Sequence, residues 1–366
     1  LYFVNKYFMS DKTICSAPTI GTSIIGGMIN PCCWNPPNTP INNSKTIAEQ
    51  QNQFSKMQEI LDYGIPEQCE KCKLTKKEHA YFNTFNSIKS IDVGTKFIPD
   101  LKFLHIMFNN KCNLACRMCS SQYSSLHMQE EFGVSKVHDF VKQGSVLYES
   151  IFSSLKNLEY LYLTGGESLL DKQSWDLLNT CVEKDYAKNI TLQINTNGTI
   201  KLNEIEIKTL QSFKKLDLHI SIDGIGTMAE YTRTGLIWNK WIKNFEKYVT
   251  LFPNLRVVVT ANVYNIFEID KTIDFFESYG VGTNVNILTL PPGLAISSLN
   301  EKLKKDLLKK YQTYGEKYYK LCRYLEQQSQ LKDTKDIIKQ KEKNALGKYP
   351  NFAAYKDCFP EYWNKF

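Results

Sequence analysis

LKFLHIMFNNKCNLACRMC, running from Leu101 to Cys119, decides how this chain is read. Its first eight residues, LKFLHIMF, read as a β-strand. Three cysteines follow directly at 112, 116 and 119. Spacers of three and then two residues let a single loop turn all three sulfurs toward one centre. Thiolate ligands select zinc, copper(I) or iron–sulfur clusters. A tetrahedral structural zinc needs a fourth ligand nearby, for which His105 and His127 are the candidates. A cluster held by three thiolates instead leaves one iron open to a substrate or cofactor.

Five more strands follow: NLEYLYLTGG, NITLQINTNG, KLDLHISIDG, LRVVVTANV and TNVNILTL. Between them lie stretches with helical spacing, among them SVLYESIFSSLKNL, SWDLLNTCVEKDY, WNKWIKNFEKYVTLF and IFEIDKTIDFFESYG. Strands alternating with helices imply an α/β fold with a parallel sheet, barrel-like or doubly wound. Both architectures gather ligands at the carboxyl ends of their strands. CNLACRMC, GGE, NTNG and SIDG all fall at such ends.

CNLACRMC, Cys112 to Cys119, matches the CxxxCxxC signature of the radical S-adenosylmethionine (SAM) superfamily. GGE (Gly165, Gly166, Glu167), NTNG, SIDG and YTRTG follow in the order that family uses. The resemblance runs from about Lys102 to Pro292 and implies a partial (β/α)6 TIM-like barrel over residues 101–296. It further implies that Cys112, Cys116 and Cys119 hold a 4Fe–4S cluster whose fourth iron is chelated by SAM. By the same resemblance Gly165 and Gly166 let the backbone approach the methionine part of SAM, and Glu167 accepts a hydrogen bond from its amino group. Asn195, Asn197 and Ser221 stand where the family contacts the ribose, Met118 where it contacts adenine, and Arg233 where it pairs with the SAM carboxylate. The implied chemistry is reductive cleavage of SAM to a 5′-deoxyadenosyl radical, which removes a hydrogen atom from substrate. Ser168 departs from the family, many members of which have proline after GGE.

Simpler readings stand beside these. Asn197-Gly198 and Asp223-Gly224 are turn pairs, and Arg233 suits a surface ion pair. By contrast, a carboxylate after two glycines at a strand end, as at Glu167, has little evident structural purpose.

A second cysteine set precedes the barrel: Cys15, the pair Cys32 and Cys33, then Cys69 and Cys72 in CEKC. Residues 1–100 lack strong periodicity, and the part from Cys15 to about Lys77 reads as a small irregular module in need of a staple. Its pattern, with Gly27 ahead of Cys32 and a CxxC pair after it, resembles the auxiliary-cluster modules of SPASM-type and Twitch-type radical SAM proteins, placed before the barrel. The resemblance implies a second 4Fe–4S cluster on Cys15, Cys32, Cys69 and Cys72, with Cys33 able to replace Cys32. Four cysteines also suit a structural zinc. Cys181 reads as core, Cys322 carries no assignment, and Cys358 is either an inert thiol or a hydrogen donor in a tail over the barrel mouth.

The chain has 366 residues, 42% hydrophobic and 23% charged, with a formal charge of +7. These values suit a globular protein, and no apolar run is long enough for a membrane span. The N-terminal LYFVNKYFMSDK is too short and polar for a signal peptide, so cytoplasmic residence is expected. Eleven cysteines in that setting point to metal rather than disulfides. Within residues 297–366 the lysines concentrate between Glu301 and Lys348 and alternate with acids, as on solvated helices, which argues against a nucleic-acid surface. That region reads as a C-terminal helical extension with an aromatic tail. Expected partners are an electron donor such as flavodoxin or ferredoxin, and a substrate. A peptide or protein residue is the favoured substrate, and a small molecule such as a nucleotide or sugar the alternative. The contrasting class is a non-catalytic iron–sulfur or zinc scaffold.

Overall fold

The computed structural model describes residues 21–32, 39–55, 100–134, 136–327, 334–343, 345–346, 348–349 and 352–366. The chain divides into two compact units, residues 1–106 with 141–161, and residues 107–140 with 162–366.

The first unit contains β1 (Gly21–Ile25), β2 (Met28–Asn30), β3 (Thr39–Pro40) and β4 (Phe103–Ile106). β1 runs parallel to β4, with Ser23 opposite His105, and forms an antiparallel hairpin with β2. Gly26 and Gly27 take φ of 56° and 82° in its turn, a backbone region open to glycine. Part of the segment read as irregular is therefore sheet. Ile24, Ile29, Leu104 and Ile106 are fully buried.

In the second unit β5 (Ala115–Cys116) is a two-residue strand inside the cysteine loop. β6 (Tyr160–Leu163) carries the chain from the first unit into the second. There follow β7 (Thr191–Thr196), β8 (Lys215–Ser221), β9 (Arg233–Thr234), β10 (Arg256–Ala261) and β11 (Gly282–Ile287). β7, β8, β10 and β11 pair in that order and all in parallel, leaving an open sheet as in a partial barrel. Each parallel step crosses through at least one helix: Glu204–Gln211, then Thr227–Thr232 and Trp238–Leu251, then Ile269–Glu277. The strands bury Leu192, Ile194, Leu218, Ile220, Val257 and Val259 completely, at a gain of about 1.5–3 kcal/mol for each large side chain. Helix Trp238–Leu251 adds the aromatic stack of Trp241 on Phe245, their centroids 5.3 Å apart. Cys181 is core, as its helical spacing suggested.

After β11 come helices Glu301–Gln312, Tyr319–Leu325, Thr334–Glu342, Tyr355–Cys358 and Pro360–Trp363. The aromatic tail is packing material. Phe352 stacks on Tyr231 at 5.4 Å and Tyr362 on Phe267 at 4.8 Å, while Tyr355 donates its hydroxyl to the Tyr264 carbonyl at 2.6 Å. Tyr264 and Phe267 follow the carboxyl end of β10, so the tail lies over that end of the sheet. Among the described residues no helix is long and apolar enough to cross a membrane.

Candidate functional site

The cysteine loop is pinned on both sides. β5 pairs antiparallel with β9, placing Cys116 opposite Arg233, and Arg117 N donates to Thr232 O at 2.8 Å. Ser124 caps helix Ser125–Phe132 by accepting from His127 N at 3.2 Å and donates its hydroxyl to Leu114 O at 2.8 Å. Cys112, Cys116 and Cys119 are free and half-buried. Burial pushes the Cys112 and Cys119 thiols up to about 12, and the neighbouring Cys116 adds to both. Cys116 is also raised by burial, against which the Arg233 charge pulls. Three thiols from one short loop are soft donors of the kind that hold iron–sulfur clusters, and that donor set fits the group. Among the described residues no three His, Cys, Asp or Glu side chains converge on a single ion. A cluster offers separate irons to separate thiolates, so the three need not share one point. Of the two histidines weighed as zinc ligands, His127 spends Nε2 on the Cys116 carbonyl at 2.6 Å, and His105 bonds Ser23 at 3.2 Å.

Glycines and carboxylate after β6 lock onto this loop. A Cβ on Gly166 would lie 2.2 Å from the Lys111 carbonyl oxygen, whereas one on Gly165 would meet nothing nearer than 3.4 Å. Gly166 is thus required by the approach of two backbones, and Glu167 N donates to that same carbonyl at 2.8 Å. Glu167 also has a structural purpose the sequence did not reveal. Its Oε1 accepts from Leu169 N at 3.1 Å and Thr196 Oγ1 at 2.7 Å, and its Oε2 from Asn197 N at 2.7 Å. The carboxylate clasps the end of β7 to the end of β6, and Oε2 keeps room for one more donor. Burial raises its pKa, and these bonds oppose the rise.

Asn197 is both turn and tie. Its Oδ1 accepts from Thr199 N at 2.9 Å, while its Nδ2 reaches Asn113 in the cysteine loop at 2.9 Å. Asn195 donates to Tyr162 OH at 2.6 Å, and its buried Oδ1 has no partner among the described residues. Ser221 ends β8 half-buried, and Met118 is half-buried within the loop. Arg233 is no surface residue. It is 8% exposed and pairs with the fully buried Asp223 at 2.7 Å, while Nη1 lies 4.0 Å from Cys116 Sγ. Its Nε is buried without a partner among the described residues, a donor left for an anion.

Sequence reasoning passed over Asp223, read as a turn, and Arg117, which stands between two of the cysteines. Arg117 is 1% exposed and grips Glu130 through both Nη atoms at 2.9 Å. It also donates to Ala115 O at 2.6 Å and to Lys341 O at 3.3 Å, beneath the Phe352 ring at 5.1 Å. Nearby Glu342 accepts from Tyr231 OH at 2.6 Å and from Tyr355 N at 2.5 Å. The C-terminal helices are thereby fastened to the cysteine loop.

Residues 106–277 match the Radical SAM superfamily. This part of the chain belongs to that superfamily. Among curated relatives, the chain is 25% identical over 203 residues to the tungsten-containing aldehyde ferredoxin oxidoreductase cofactor-modifying protein of Pyrococcus furiosus, covering 52% of this chain and 53% of the relative. It is 21% identical over 222 residues to GTP 3′,8-cyclase of Clostridium perfringens, covering 58% and 64%. It thus spans between half and two thirds of these relatives. A solved structure, native anSMEcpe with bound AdoMet and Kp18Cys peptide, is 19% identical with a TM-score of 0.41, covering 56% of this chain and 57% of that one.

Of the N-terminal cysteines, Cys15, Cys33, Cys69 and Cys72 lie outside the described residues, and Cys32 is half-buried just after β2. Cys322 is buried. Cys358 is half-buried, its thiol directed at Ala353 O at 3.9 Å.

Proposed function

We propose that this chain binds SAM at a 4Fe–4S cluster held by Cys112, Cys116 and Cys119 and removes a hydrogen atom from a peptide or protein residue. The observation that carries this reading is the pairing of Cys116 with Arg233, which sets a free thiol 4.0 Å from a guanidinium that retains an unpartnered donor. When bound, the cluster and SAM supply reductive cleavage and hydrogen-atom abstraction. The chain's own work is to bind and orient. The three thiolates hold three irons, Arg233 Nε meets the SAM carboxylate, and the open position on Glu167 Oε2 accepts from the SAM amino group. Asn195 Oδ1, Asn197 and Ser221 serve the ribose, and Met118 the adenine. Gly165 and Gly166 keep the backbone beside the methionine part free of side chains. Burial of Glu167, Asp223 and Arg233 keeps water from this side of the site.

Support for a peptide comes from a crevice of about 290 Å³ beside β9, lined by Tyr231, Leu236, Ile237, Tyr349 and Phe352 together with the Glu230 carboxylate. A small molecule is the second reading, favoured by a relative named for its action on a nucleotide. Cys15, Cys32, Cys69 and Cys72 would hold a second cluster, passing electrons from a flavodoxin or ferredoxin in a reducing cytoplasm.

The test is anaerobic reconstitution, with iron, sulfide and zinc measured in the wild type and in a variant with Cys112, Cys116 and Cys119 changed to alanine. About half the iron should survive in the variant if two clusters exist, and zinc with no iron would mark the N-terminal site as structural. Reduced wild type should release 5′-deoxyadenosine from SAM, and a deuterated peptide substrate should pass its label into that product. An iron-loaded wild type that releases none would reject the enzymatic reading in favour of a scaffold.

A further inference from the structure

The Asp223–Arg233 pair does more than neutralise two buried charges. Asp223 is held from three directions: Oδ1 accepts from Thr260 N at 2.8 Å, its carbonyl accepts from Asn265 Nδ2 at 3.0 Å, and the preceding Ile222 N bonds Val258 O at 3.0 Å. With Oδ1 bonded to Thr260 N, Oδ2 approaches Nη2 of the guanidinium at 2.7 Å as an ion pair, outside hydrogen-bond geometry. A fork-on-fork pair would use up two donors of the arginine. This one-point contact leaves Nη1 beside Cys116 Sγ at 4.0 Å and Nε without a partner among the described residues. Charge matters as well as orientation. Reducing a cluster adds negative charge at its thiolates, which Arg233 alone would favour and which the Asp223 carboxylate opposes. Charge and hydrogen bonds at the sulfurs are the terms by which a protein sets a cluster's potential.

We propose that Asp223 is a positioning residue, fixing which Arg233 donors face SAM and holding down the reduction potential of the cluster beside Cys116. The proposal rests on the SAM-binding reading of this site. Its test uses the reconstituted full chain, with the midpoint potential measured without SAM and SAM affinity read from the change in the EPR spectrum of the reduced cluster. Asp223→Asn is expected to shift the midpoint positive and to weaken SAM binding roughly tenfold or more, because a buried guanidinium without its carboxylate is no longer held in place. Arg233→Lys keeps the charge but loses the fork, so affinity should fall while the potential stays near that of the wild type. Unchanged potential and affinity in an iron-loaded Asp223→Asn protein would overturn the proposal, as would unchanged affinity in Arg233→Lys. If Asp223→Asn does not fold, Asp223→Glu takes its place: it keeps the charge but moves the carboxylate, so affinity should fall while the potential holds, and unchanged affinity would overturn the proposal. If the wild-type spectrum does not respond to SAM, the SAM-binding reading fails instead, and the shift in potential on its own decides the role of Asp223.

Discussion

Two adjacent glycines should respond unequally to the same substitution. A Cβ on Gly166 would sit 2.2 Å from Lys111 O, 2.6 Å from Lys111 C and 2.7 Å from Asn110 O, all backbone atoms. Restoring van der Waals distance means parting the GGE turn from the cysteine loop by about 1 Å, and no side chain is there to swing aside. That movement also stretches the Glu167 N to Lys111 O bond of 2.8 Å. Overpacking of this kind costs about 1–3 kcal/mol and a lost hydrogen bond about 1 kcal/mol. Gly166→Ala should therefore lose about 2–4 kcal/mol, lowering the melting temperature by about 4 °C or more. Because Lys111 directly precedes Cys112, iron retained after reconstitution should fall with it. On Gly165 the same methyl meets only Asn109 O at 3.4 Å and Met107 Cγ at 3.6 Å, which is ordinary contact. Gly165→Ala should melt near wild type and keep its iron. Thermal unfolding of the apoprotein and iron-to-protein ratios of the loaded one provide the assay. Equal behaviour of the two variants, in either direction, would refute the reasoning.

Arg117→Met strands the Glu130 carboxylate in a site where it is 2% exposed, at a cost of about 3–5 kcal/mol. Adding Glu130→Leu should recover most of that in a melting curve, and no recovery would show that the ion pair is not the cause. Glu167→Gln replaces an acceptor of three bonds with a group that must also donate, which should cost about 1–3 kcal/mol; an unchanged melt would count against the clasp. Burial drives the pKa of His105 down to about 3, so the folded chain refuses a proton that the unfolded chain accepts near 6.5. The stability this histidine allows is complete above about pH 6.5 and is lost as pH falls toward 3. His105→Gln should flatten that dependence, and parallel pH–stability curves for wild type and variant would contradict it.

The parts of the fold that could be read in advance were those written locally. LKFLHIMF, NITLQINTNG, KLDLHISIDG and LRVVVTANV carry dense apolar strand patterns with turn residues behind them, and all four contain strands. GTSII at Gly21–Ile25 is short and small-sided, and its partner His105 lies 82 residues beyond Ser23, so no local pattern marks it as sheet. At the site, three cysteines in one loop speak for themselves. The GGE motif marked Glu167 as a site residue but not its clasp, because two of its donors belong to Thr196 and Asn197 at the end of another strand. Asp223 looked like half of an Asp-Gly turn since its cation arrives ten residues later and from a different strand. Arg117 gave no signal at all, because its partners are a helix residue, a distant carbonyl and a tail aromatic ring.

The bond from Arg117 to the Lys341 carbonyl spans 224 residues, and that separation is also an interval of time. A ribosome adding about 5–20 residues per second needs roughly 10–45 s to travel between them. Throughout that interval the emerging cysteine loop can already fold against Glu130, yet it has neither the Lys341 carbonyl nor the Phe352 ring over its guanidinium. The loop therefore reaches its final packing only after translation has passed Phe352, so a maturation factor delivering iron and sulfide during synthesis would meet an unfinished receptacle.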